Sequence, residues 1–182
     1  MDGQFFDLAS ERQRTHTHIH RLRLARYGRI QAEAGFNCKH CYKPVSSASF
    51  LSGVQNRNHC PYCLWSRHLD LYAAGDRLSA CKSLMQPIGL TLKATRKRYG
   101  PERGELMLIH VCMECQTISI NRIAADDDSE TVLNVFDDSS GLEAAMRSGM
   151  DTQGIRALDG RERNIVLVQL FGSYMPVSAR TG

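Results

Sequence analysis

The chain has 182 residues, 42% of them apolar and 23% charged, with seven cysteines and a formal net charge of +4. That is enough chain for one or two soluble domains with a core of their own, so disulfide staples are not required. The best apolar run, Ile165 to Phe171, is interrupted by Gln169 and falls far short of the about 20 residues that a transmembrane helix needs, which excludes such a helix.

The opening segment lacks the apolar stretch and small-residue cleavage site of a secretory signal. Asp2, Asp7 and Glu11 also break the acid-free pattern of a mitochondrial one. A cytoplasmic protein with reduced thiols is the expectation. Ser10 and Gln13 have capping-box spacing, which predicts a helix running to Ala34 and stopped by Gly35, although Thr15 to Leu24 also alternates in strand fashion. Arg12, Arg14, Arg21, Arg23, Arg26 and Arg29, with His16, His18 and His20, make this extension basic. Leu64, Trp65, His68, Leu69 and Tyr72 recur at helical spacing after Cys63, and Gly75 ends the run, which predicts a second helix. Ile88 to Ala94, Leu106 to Val111, Ile118 to Ile123, Val132 to Phe136 and Ile165 to Phe171 read as strands, and Gly141 to Met150 as a short helix. The expected fold is α+β: a small zinc-ribbon or treble-clef-like domain with a small antiparallel sheet over residues 36–128. A basic helical extension (1–35) precedes it and an acidic α/β extension (129–182) follows. Charge supports this division. Residues 36–115 carry eleven Lys and Arg against five acids and hold every cysteine, whereas residues 116–182 carry six against ten.

Six cysteines form three pairs of one spacing, Cys38/Cys41, Cys60/Cys63 and Cys112/Cys115, and Cys81 stands alone. Two intervening residues let a tight turn aim both sulfurs at one point, as a tetrahedral metal site requires. Seven thiols and one histidine supply the eight ligands of two closed sites, and His68 is the candidate eighth because Cys60, Cys63 and His68 read C-x2-C-x4-H. One arrangement groups Cys60, Cys63, His68 and Cys81, leaving Cys38, Cys41, Cys112 and Cys115 for the other site. A rival joins Cys38/Cys41 to Cys60/Cys63 across a zinc-ribbon gap of eighteen residues, with Cys81, Cys112, Cys115 and a histidine forming the second. Thiolate with one imidazole favours zinc, about two ions per chain, and four protein ligands each would make both sites structural. Neighbouring residues seldom share one metal ion, so His59, with Asn58 before it, is expected just outside the ligands, holding a backbone group or donating toward a thiolate.

The run Arg57-Asn58-His59-Cys60-Pro61 carries a resemblance. With Phe36-x-Cys38-x2-Cys41, Cys60-Pro61-Tyr62-Cys63-Leu64-Trp65-Ser66-Arg67-His68-Leu69-Asp70, Gly75-Asp76-Arg77, Cys81 and Pro87-Ile88-Gly89-Leu90, it resembles the bacterial RNHCP-domain proteins. The match continues through His110-x-Cys112-x2-Cys115 and Asn121-Arg122-Ile123-Ala124-x-Asp126-Asp127, so that it spans residues 36–128. The resemblance implies a zinc-ribbon-type domain and assigns no activity. Tyr42 and Gln116 depart from the glycine expected after the second cysteine of a pair, where a left-handed turn is needed.

Three functions fit these residues. Lys93, Arg96, Lys97, Arg98 and Arg103, with Tyr99 among them, suit phosphates and bases, so RNA or the ribosome is one partner class; Gly100-Pro101 equally suits a solvated hairpin turn. Asn58-His59 between cysteine pairs is similar to nucleases of the His-Asn-His type, with Asn121 and Asp126 to Asp128 as holders of a second metal ion, although consecutive aspartates cannot all face one site and usually form a solvated turn. The stretch from Asp126 to Glu143 has seven acids and no Lys or Arg, suiting a protein-interaction adaptor or folding against the basic block. A binding or structural module is the leading expectation.

Overall fold

The computed structural model describes residues 35–94 and 104–172. The helix expected between Ser10 and Ala34, and Arg96, Lys97 and Arg98, lie outside them. The architecture is α+β with small antiparallel sheets. A hairpin of β1 (Phe36–Asn37) and β2 (Pro44–Val45) carries the first cysteine pair, and α1 (Ser49–Ser52) follows. The main sheet has the order β3-β4-β5-β6, antiparallel throughout, from β3 (Ser66–Arg67), β4 (Leu84–Lys93), β5 (Glu105–Cys112) and β6 (Ile118–Arg122). Three α-helices follow the sheet among the described residues: α2 (Ser129–Asp138), α3 (Ala144–Asp151) and α4 (Arg163–Phe171). No helix among the described residues is long and apolar enough to cross a membrane.

Strand β5 explains the layering. It is buried along nearly its whole length, so its alternating side chains feed two cores. Leu106 and Leu108 join Leu64, Leu90, Val132, Phe136, Leu158 and Val166 in one, while Ile109 and Val111 join Ile118 and Met150 in the other. The helices after residue 128 therefore share the core of the sheet. The register of β4 on β5 slips between Pro87 and Gly89, where a bulge takes up Ile88. A Cβ at Gly89 would stand 3.2 Å from the Ser139 side chain, so glycine lets the helical segment after α2 approach the sheet.

Three expectations are corrected. No helix follows Cys63: Leu64 is left-handed at φ 61, the chain turns into β3, and Leu69 to Gly75 form turns. Val132 to Phe136 is helical because Asp128 caps α2 through Thr131 N, and Val132 and Phe136, four apart, face the core together. Ile165 to Phe171 is helical as well, started by the Asp159/Glu162 capping box one turn upstream and stopped by Gly172 at φ 74. Gln169, the polar break in that run, has a structural partner: its amide bonds Leu106 N and Gly104 O and secures the start of β5. Among the described residues, the segment after residue 128 consequently has helices and no strand.

Candidate metal centres

The three C-x2-C pairs fold into the same local shape. In each, the amide four residues after the first cysteine donates to its carbonyl (Tyr42 to Cys38, Leu64 to Cys60, Gln116 to Cys112), at 2.8 to 3.1 Å. The first cysteine's own amide donates five residues on, to Lys43, Trp65 and Thr117. The residue after each second cysteine is left-handed: Tyr42 at φ 62, Leu64 at φ 61 and Gln116 at φ 59. The glycine-less turns thus adopt the knuckle conformation despite its steric cost.

These knuckles assemble two groups: Cys38, Cys41, Cys60 and Cys63, and His68, Cys81, Cys112 and Cys115, with the ligand atoms of each group within 4.8 Å of one another. This grouping is the rival arrangement; the one placing Cys60 and Cys63 with His68 and Cys81 is not what the fold builds. In the first group Cys38 Sγ lies 3.6 Å from Cys63 Sγ, and Cys41 Sγ the same distance from Cys60 Sγ. A disulfide would bring the sulfurs to about 2.05 Å. A tetrahedron of bonds about 2.3 Å long has edges of about 3.8 Å, so the separation fits four thiolates around one ion. The amides of His40 and Cys41 point at Cys38 Sγ at 3.4 Å.

The second group sits at one end of the main sheet. His68 leaves β3 with its backbone paired to Ser83 and Lys82, which brings Cys81 beside it. Met113 N donates to Leu84 O, continuing the β4/β5 ladder and setting the third knuckle at the same end. Cys81 Sγ lies 3.6 Å from Cys112 Sγ, and His68 Nδ1 lies 3.2 Å from Cys115 Sγ.

Charge explains why such groups call for a cation. In the first, burial pushes the Cys60 and Cys63 thiols up. Burial raises Cys41 also, but the Lys43 amide and the neighbouring thiols outweigh it and bring it down to about 7. In the second, the hydroxyl and amide of Thr117 lower Cys115 to about 6. Packed thiols repel one another's negative charge, whereas a bound dication stabilises all of them as thiolates. The donor sets, four sulfurs and three sulfurs with one imidazole, can each hold a metal ion and fit zinc.

A family model for the RNHCP domain matches residues 33–133, more than half of the chain. The chain belongs to the RNHCP-domain family. No curated protein and no solved structure matched it.

The five residues that give the family its name have separate places in this fold. Cys60 faces the first metal group, and Pro61 O accepts from Asp128 N, tying the knuckle to α2. Arg57 is buried; its guanidinium bonds Asp126 at 2.6 Å, Asp127 at 2.7 Å and the His59 carbonyl at 3.1 Å. His59 is buried too, with Nε2 at 2.8 Å from Asp127 Oδ2. Asn58 is half-buried and makes no side-chain hydrogen bond among the described residues. The partner of His59 Nε2 is therefore a carboxylate, neither of the partners expected for it.

The aspartate run is a turn in which Asp126 and Asp128 are exposed and Asp127 alone is buried. Asp126 pairs with Arg57; Asp127 is buried and accepts from Arg57, His59 and Ala124 N; Asp128 caps α2. Two of the three neighbouring carboxylates thus meet on Arg57, while the third caps α2. Asn121, the other expected holder of a second metal ion, donates instead to His110 Nδ1 at 3.0 Å. His110 had no expected role. It is fully buried, which lowers its pKa to about 3, and as a neutral ring it donates from Nε2 to Leu64 O at 2.7 Å. Its signal was the sequence pattern itself: a polar residue inside the apolar run of β5. Lys93 ends β4 and is exposed.

Proposed function

We propose that this RNHCP-domain chain is a cytoplasmic two-zinc structural module whose metal ions hold a surface for RNA or the ribosome. Cys38, Cys41, Cys60 and Cys63 ligate one ion, and His68 Nδ1, Cys81, Cys112 and Cys115 the other. The observation that carries this reading is the convergence of eight donors into two groups at tetrahedral spacing. Both donor sets are complete, so zinc here fixes the fold and leaves no open position for a reacting water. The seven free thiols suit a reducing compartment. Lys93, at the end of β4, and Arg96, Lys97 and Arg98, which follow it in sequence, supply phosphate contacts.

Metal analysis of the purified chain is expected to find about two zinc ions, and a strong chelator to abolish ordered structure. A metal-free, folded chain would sink the zinc reading. Binding to RNA is expected to weaken with salt and with neutralisation of Lys93, Arg96, Lys97 and Arg98; affinity indifferent to salt would count against it.

A further inference from the structure

Tyr42 is a residue that folding does not explain. Its left-handed backbone, φ 62, favours glycine, and its ring is 78% exposed, so neither conformation nor burial repays the choice of tyrosine. The facing knuckle of the same metal group carries Tyr62, 50% exposed, with Lys43 Nζ 4.6 Å from its ring centre. Exposed His40, on the first knuckle, stacks on half-buried Trp65 just past the second, with ring centres 4.1 Å apart and planes within 3°. Two short turns fixed to one metal group therefore hold flat rings and a lysine–aromatic contact at the surface. Among its acidic and basic side chains this face is positive: from Phe36 to Leu69 there is no aspartate or glutamate, and Lys39 and Lys43 are exposed, while of the four thiolates Cys38 and Cys60 are buried and Cys41 and Cys63 half-buried.

We propose that this face binds single-stranded nucleic acid, with bases stacking on Tyr42, Tyr62 and the His40–Trp65 pair and phosphates meeting Lys39 and Lys43. Unpaired bases offer the flat faces that exposed aromatic rings accept, whereas duplex bases are already stacked on one another. The inference rests on the zinc module reading and deepens its RNA part, assigning the base contacts to residues other than Lys93, Arg96, Lys97 and Arg98.

Trp65 is the one tryptophan of the chain, so its fluorescence reports from this face alone. The test titrates the zinc-loaded full chain with uridine and thymidine oligomers of about 12 nucleotides and with a duplex of similar length, at low and at higher salt. Saturable quenching by a single strand, weaker for the duplex, is expected; the uridine and thymidine arms tell RNA from DNA. Tyr42→Ala and Tyr62→Ala, each retaining its zinc, are expected to raise Kd by about 10-fold or more, and Lys43→Ala to lower the salt slope by about one. The proposal is overturned if zinc-loaded tyrosine variants bind as the wild type does, if duplex binds as tightly as single strands, or if no oligomer binds. In the first case, loss of binding on neutralising Arg96, Lys97 and Arg98 would leave the RNA reading standing without this face.

Discussion

Gln116 holds φ 59 with a full side chain, and left-handed backbone costs such a residue about 1–2 kcal/mol. Gln116→Gly removes that cost but loosens the unfolded chain, so a net gain of up to about 1 kcal/mol is expected. Gln116→Val, branched where the turn is tightest, is expected to lose at least as much. Thermal midpoints and zinc retention against a chelator check both. Asp127 carries a different load. It is the common partner of Arg57 and His59, and every buried polar side chain among the described residues has a partner. Asp127→Ala leaves three buried groups, Arg57, His59 and the Ala124 amide, short of a partner and is expected to cost about 3–5 kcal/mol, read as an earlier denaturant midpoint. Motif letters showed that these positions matter together. They gave no indication that the arginine and the aspartates, some seventy residues apart, would meet, because nothing local encodes that contact.

The cysteine pairs and the strands β4, β5 and β6 were legible because their signals are local: fixed spacing and sustained apolar runs. Misread elements are those in which a tertiary demand overrode the pattern. Leu64 to Tyr72 fits a helix on spacing, yet Leu64 is drawn into the core, Trp65 onto His40 and His68 into the second metal group, three directions no single helix face offers. Helices α2 and α4 were mistaken for strands on β-branched content, although Asp128, Asp159, Glu162 and Gly172 marked their ends. The loop that replaced the expected helix has its own organiser. Asp76 accepts amides from Leu71, Tyr72, Ala73 and Leu78, and these bonds hold its carboxyl well below the usual carboxylate range. The depressed value means that the loop gains stability above about pH 4, where an unfolded aspartate is ionised, and loses it as pH falls through the lower folded value. An NMR titration of the Asp76 carboxyl is expected to place its midpoint below those of ordinary aspartates, and Asp76→Ala to speed hydrogen exchange at the four amides.

At the scale of the whole molecule, the sheet, its helices and the second metal group are one connected structure, while the first group rests on a small core of Phe36, Val45 and its own cysteines. Access differs between the groups: Cys115 is exposed, whereas Cys38 and Cys60 are buried. A chelator is expected to remove zinc in two phases, the His68 site first, and Cys115→Ser to abolish only the faster one, followed with a coloured zinc indicator. The two ligand sets also do not interleave along the chain: the first is complete at Cys63, before the second begins at His68. A chain made from its N-terminus therefore exposes four thiols and can close them around an ion while the remaining ligands are still unmade. Translation order thereby separates sulfurs that, presented all at once, could group in several wrong combinations, and the sequence arrangement guards against mixed ligand sets before the main sheet has formed.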